Sequence, residues 1–181
     1  MASFTPEDQL RHELDFLLMR EGAAVLYLKE IILQADLAWL AAREYRIDEI
    51  ECVHALTERD LHRVVAGTLS FPNHYGQCLS ALDDCLYDLD FDRYAGRVVL
   101  LRSLDLFWHR EPEVASAFVD VFEEHSRHRL LFGHRLLVLA KVADPGFHVT
   151  TRHARAPMAW NPREWLDRNR LVNGDDRPLP A

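Results

Sequence analysis

The sequence lacks the features that would commit it to a membrane, a secretory route or nucleic acid. Its three cysteines, Cys52, Cys78 and Cys85, are odd in number and share no paired spacing, so no disulfide framework is expected. Cys52 and Cys85 fall in apolar patterns and suit small core residues. No apolar run approaches the roughly 20 residues that a membrane helix needs. Pro6, Glu7 and Asp8 make the N-terminus polar, so no signal peptide is expected and a cytoplasmic, reducing location follows. No low-complexity stretch suggests disorder, and no internal repeat is visible. Cations are scarce as well: 21 Lys and Arg stand against 29 Asp and Glu. Free nucleic acid and anionic membranes both reward clustered cations, so neither is expected as the main ligand.

What the sequence does hold is enough apolar residues for a sizeable core, 49% of 181, and an acidity that belongs to its body. Residues 1–145 carry 15 basic against 25 acidic side chains, while the remainder carries six against four. An acidic body is compatible with a basic protein partner.

Helices and short apolar strands alternate along the chain. Thr5-Pro6-Glu7-Asp8 reads as a helix start, with Leu10, Leu14, Leu17 and Leu18 on one face and Glu21-Gly22 as the stop. Strands are expected at 23–28, 46–53, 97–102 and 135–140. Helical spacing fills the intervals: Leu33 to about Tyr45, a capped helix opening at Thr57-Glu58-Arg59-Asp60, a second through Leu79, Leu82, Leu86 and Leu89, and another from Glu111-Pro112 to Gly133. Asn161-Pro162 caps a short helix with Trp165 and Leu166, and this C-terminal segment with Trp160 and Leu171 is expected to pack back on the domain. The pattern predicts an α/β fold, a small and mostly parallel sheet covered by helices. Strand 23–28, joined to 46–53 by one crossover helix, is expected to lie beside it. The organisation reads as an N-terminal helix-strand-helix extension (1–45), a central domain (46–145) and a tail (146–181).

The segment Phe71 to Leu86 is the most informative. On a helical wheel Leu79, Leu82, Leu86 and Leu89 share one side, and Ser80, Asp84, Tyr87 and Asp88 the other. Asp84 and Asp88 are one turn apart and repel, and both sit where the helix dipole disfavours anions by roughly 0.3–1 kcal/mol each. Charge alone reads as a solvated acidic face. The fuller pattern is Pro72-x-x-Tyr75-Gly76-x-x-Leu79-x-Ala81-Leu82-x-Asp84-Cys85-Leu86, and it closely resembles the signature of the barstar family, inhibitors of secreted bacterial ribonucleases related to barnase. The strand at 46–53, the helix from Asp60 to Phe71-Pro72, Val98–Leu101, the helix ending near Gly133 and Leu136–Ala140 match the family's remaining elements in order.

The resemblance implies three parallel strands with helices packed on them, to which strand 23–28 adds one. It also implies a protein partner: a basic ribonuclease, met as a monomer in a 1:1 complex, into whose cleft a helix and its preceding loop insert. A carboxylate there takes the place of an RNA phosphate. Asp84 matches the family's central inhibitory aspartate and Glu124 a second acidic contact residue. Gly76 matches a loop glycine that lets backbone approach the enzyme, and His74 stands where the type member has a tyrosine. Ser80 replaces an aspartate, Cys78 an asparagine and Asp83 a tryptophan, while Tyr87 and Asp88 hold contact positions with different side chains, so the contact surface differs from the type member's.

The other signals are weaker. Glu124-His125-x-x-His128 sets two imidazoles on one helix face, but no Cys cluster or second His motif accompanies it, and no metal site is expected. Asp83-Asp84 near a histidine could serve acid–base chemistry, yet there is no nucleophile motif, phosphate loop or dinucleotide fingerprint. No cofactor, no catalysis and no direct contact with nucleic acid or membrane are expected. Two functions stay open: an inhibitor or immunity protein against a ribonuclease, and an adaptor that keeps the fold but binds a non-nuclease protein.

Overall fold

Val98, Val99, Leu100 and Leu101 form the centre of the molecule, and none of the four side chains is exposed. A run this apolar on both sides needs neighbouring strands at each edge and helices on each face. The computed structural model, which describes residues 4, 6–11, 13–20, 24–148 and 158–165, supplies all of these. In chain order the elements are α1 (Pro6–Arg11), α2 (Leu14–Arg20), β1 (Ala24–Tyr27), α3 (Glu30–Ala41), β2 (Tyr45–Glu51), α4 (Glu58–Leu69), α5 (Leu79–Tyr87), β3 (Gly96–Arg102), α6 (Leu104–Arg110), α7 (Pro112–Leu130), β4 (Leu136–Lys141), β5 (Ala159–Trp160) and α8 (Pro162–Trp165). The strands form one sheet in the order β2-β3-β4-β1-β5, with every pairing parallel.

Period-2 alternation sorts the strand side chains into two cores. Val25, Tyr27, Val98, Leu100, Leu137 and Leu139 meet Leu18 of α2 and Ile32, Leu33, Leu37 and Leu40 of α3. Ala24, Leu26, Val99, Leu101, Leu136, Val138 and Ala140 face the other way, onto α4, α5, α6 and α7. The result is a three-layer α/β arrangement, with the parallel sheet covered on both sides.

The position of β1 corrects one expectation. It pairs with β4, Ala24 opposite Val138 through Tyr27 opposite Lys141, and not with β2, which closes the far edge. The side chains account for this. All four residues of β1 are buried, which requires an interior place, whereas β2 carries Arg46, Asp48, Glu49 and Glu51 and suits an edge.

Other differences are local. A single helix was expected from Thr5 to a stop at Glu21-Gly22, and the described residues form α1 and α2 instead. Helix α6 has no counterpart in the sequence reading; it opens from Ser103, whose φ of 57° is left-handed, without a side-chain cap to announce it. Strand β5 was also not expected. It docks on β1 (Val25 opposite Ala159, Leu26 opposite Trp160). Thr5 as a cap, Gly22 as a stop, and Leu166 and Leu171 as packing residues lie outside the described residues.

Two polar clusters tie the parts together. The Tyr45 hydroxyl donates to Asp15 of α2 at 2.6 Å, and Arg135 reaches the same carboxylate at 2.7 Å. The Tyr45 ring lies so close to the start of β3 that a Cβ on Gly96 would stand 2.4 Å from it, which requires glycine there. At the other end of the sheet, Glu164 is fully buried and accepts from the backbone N–H groups of Leu28, at 3.0 Å, and Lys29, at 2.5 Å. Helix α3 has no cap from its own N-cap side chain, so a carboxylate 135 residues away does that work. Asp36 gathers Tyr27, Asn161 and Arg163 beside it.

Candidate partner-binding face

Helix α5 is set by what precedes it. A capping box, Thr57 with Asp60, starts α4, and Ser70 ends it in the left-handed region at φ 58°. The chain then turns at Pro72, with Tyr75 N–H donating to Pro72 O at 2.9 Å. The Tyr75 hydroxyl lies 2.5 Å from Nδ1 of the buried His62, and its ring packs on Phe71. One residue thus pins the loop from below and leaves His74, Gly76, Gln77 and Cys78 exposed above it. Gly76 does not adopt a left-handed conformation; Gln77 does, at φ 49°, and Arg59 holds its side chain at 3.2 Å. Extended Cys78 is the N-cap, after which Leu82 and Leu86 enter the core. Their burial turns Ser80, Asp84, Tyr87 and Asp88 outward, and all four are exposed.

This helix carries no acid in its first turn and no base in its last, the reverse of what its dipole favours. The missing cation comes from α7. Arg129 donates to the carbonyls of Leu86, at 2.8 Å, and Tyr87, closing the end of α5. Helix α7 buries Phe118 and Phe122 against the same core and leaves Glu124 exposed. Its neighbour Glu123 points inward, where burial pushes its carboxyl up to about 7.

The adjacent aspartates of α5 differ in their surroundings. Asp83 Oδ1 is 2.8 Å from Nε2 of His125, a side chain only 1% exposed. The carboxylates of Asp84 and of Glu124 enter no hydrogen bond or ion pair among the described residues. The Tyr87 ring stands edge-on to His125, with centroids 4.5 Å apart, and its hydroxyl meets His128 Nδ1 at 3.2 Å. The two histidines on one helix face that suggested metal ligation are therefore bonded to Asp83 and Tyr87. Among the described residues no group of three metal-ligating side chains comes together.

Ser80, Asp83, Asp84 and Tyr87 share α5, Asp88 is its C-cap, His74 and Gly76 lie in its leading loop, and Glu124 is exposed on α7. The sequence pattern did not reveal the contacts that hold this face in place. Tyr75–His62 was hidden because the two lie on different elements. Arg129 was hidden because its task, closing the end of another helix, leaves no local pattern. Cys85, expected as core, is only half-buried. With Asp88, Arg46 and Arg97 it lines a cavity of about 250 Å³ behind the face. Both guanidiniums are engaged by Asp48, at 2.9 Å and 2.5 Å, so this cavity presents no free cation.

Residues 45–141, more than half of the chain, match the family model described as Barstar (barnase inhibitor). No curated protein matched the sequence. Among solved structures, the chain is similar to one from a structure described as "Structure of Drosophila ORC bound to AT-rich DNA and Cdc6", at 14% identity and a TM-score of 0.45, over 78% of this chain. It spans about half, 54%, of that chain's length.

Proposed function

Because the chain belongs to the barstar family, whose members are inhibitors with protein partners, we propose that it blocks the active site of a basic ribonuclease and catalyses nothing itself. The observation that carries this reading is Asp84: exposed, without a partner among the described residues, and fixed on a helix buried on its other side. A ribonuclease site must be cationic to hold RNA. A carboxylate held rigidly at its centre takes the phosphate's place without offering a bond to cleave. Little ordering entropy is left to lose on binding, because Tyr75–His62 and Arg129 already fix both ends of α5. Glu124, His74, Gly76, Tyr87 and Asp88 form the surrounding contact surface. The net charge of −8 favours encounter with a basic protein.

In this reading the protein acts as a monomer in a 1:1 complex in the cytoplasm, against a nuclease made by the same cell or delivered by another. Outside the family segment, the described residues add β1 and β5 to the sheet and pack α2 and α3 on the face opposite α5. A second reading, an adaptor for a non-nuclease protein, draws on Ser80 being uncharged and on Asp83 being engaged by His125, which leaves fewer free anions than the family pattern has.

The test is an RNA-cleavage assay across a panel of barnase-type ribonucleases. Stoichiometric inhibition of at least one, with no RNA turnover by the protein alone, is expected. Inhibition of none would favour the adaptor.

A further inference from the structure

Helix α7 presents a second feature beside the acidic face. Glu124, His128 and Phe132 are spaced four apart, so they form a row along α7 and its C-terminal extension. On α5, Ser80, Asp84 and Tyr87, with Asp88 at its C-cap, form the matching row. The two rows touch where Tyr87 meets His128, and the aromatic contact continues from His128 to Phe132, edge-on with centroids 5.1 Å apart. Large apolar side chains crowd here without cover: Leu131 is 74% exposed, Phe132 61% and Tyr87 49%. Exposed aromatics adjoining a charged rim are the composition of a protein contact and not of an idle surface.

We propose that Tyr87, His128 and Phe132, with Leu131, form a ledge that grips an apolar side chain on the rim of the same basic ribonuclease whose cleft receives Asp84; this rests on the inhibitor reading. Charge decides the occupant. In a two-fold contact between copies of this chain, each face meets its own kind. That arrangement would bring Asp84, Asp88 and Glu124 of one copy towards those of the other, while the nearby cations are already engaged, Arg129 by the carbonyls of Leu86 and Tyr87 and Arg127 by Glu123. A basic partner meets the acids favourably and lets the ledge close over its apolar rim. The ledge and the acids then divide the work: Asp84 supplies charge-dependent recognition, and Phe132 supplies contact that salt does not screen. His128 is held in place by Tyr87 and acts as a positioning residue between them.

The experiment uses the full chain and the ribonuclease it inhibits most strongly in the panel, with affinities measured for Phe132→Ala, Phe132→Tyr and Asp84→Ala at low and high ionic strength. Phe132→Ala is expected to weaken binding about ten-fold, as a hot-spot truncation does, equally at both salt levels. Phe132→Tyr should keep most of the affinity, and the loss in Asp84→Ala should shrink with salt. Because Phe132 is exposed, thermal unfolding of Phe132→Ala should match the parent's. Unchanged affinity in Phe132→Ala beside a large loss in Asp84→Ala would overturn the ledge and leave the inhibitor reading standing. No loss in either variant, or no nuclease inhibited, would overturn both. Sedimentation of the free protein as a dimer that Phe132→Ala dissociates would assign the ledge to self-association and overturn it too.

Discussion

Nε2 of His125 lies 2.8 Å from Oδ1 of Asp83, and the very next residue, Asp84, has no such partner among the described residues. Two neighbouring carboxylates thus serve different ends, one structural and one outward-facing. Asp83→Ala would leave a buried imidazole without its acceptor, and Nδ1 of the same ring already has no described partner. It should destabilise the fold by about 1–2 kcal/mol, the cost of an unpaired buried polar group. Asp84→Ala should stay within about 0.5 kcal/mol of the parent, as exposed sites do. Urea unfolding of both variants checks this; equal destabilisation would contradict the division of roles.

The loop before α5 depends on the contact between Tyr75 and His62. Tyr75→Phe should cost about 1 kcal/mol in unfolding experiments and weaken partner binding by loosening His74 and Gly76. The contact also has a pH signature. Burial holds the His62 imidazole below its ordinary value of 6.5, with Glu58 opposing. A group shifted this way contributes stability that is present above the ordinary value and lost as pH falls through the folded one. Stability should therefore decline on acidification from neutral pH, and His62→Gln should flatten that decline.

Glu123 gives the opposite slope. Its carboxyl is raised from 4.5 to about 7 by burial, with Asp120 adding to the shift and Arg127 opposing it. The stability it contributes is complete below the ordinary value and is lost as pH rises through about 7. Glu123→Gln should remove that loss and make the protein more stable than the parent at pH above 7, by up to about 3 kcal/mol. Denaturant titrations at two pH values measure this; a parent that outlasts the variant at alkaline pH would contradict it.

Glu164 holds the N-terminus of α3 from the other end of the chain. Glu164→Ala would orphan two buried N–H groups and should cost about 3 kcal/mol. Amide exchange at Leu28 and Lys29 should accelerate ahead of global unfolding, and unchanged protection there would show that the cap is dispensable.

Much of this molecule was legible in its sequence, because its strongest signals are local. The apolar run at Val98–Leu101 had to be a buried strand, Thr57 with Asp60 is a self-contained cap, and the spacing of Leu82 and Leu86 fixes which side of α5 faces out. That periodicity placed Asp84 on the exposed side. What escaped were contacts between residues far apart in the chain. The place of β1 depends on the competition among all strands for the interior of the sheet, which a rule about neighbouring elements does not weigh. Strand β5 has two residues and exists only because β1 offers an edge. The bond between His125 and Asp83 escaped as well, because 42 positions separate the two residues.

The most direct test of the central claim is the charge at position 84. Inhibition of the cognate ribonuclease should be titrated with the parent, Asp84→Asn and Asp84→Ala, all three equally stable. If this carboxylate stands in for an RNA phosphate, both variants lose more than about ten-fold in affinity, and the gap narrows as salt is added. Equal inhibition by all three proteins at every ionic strength would contradict the account.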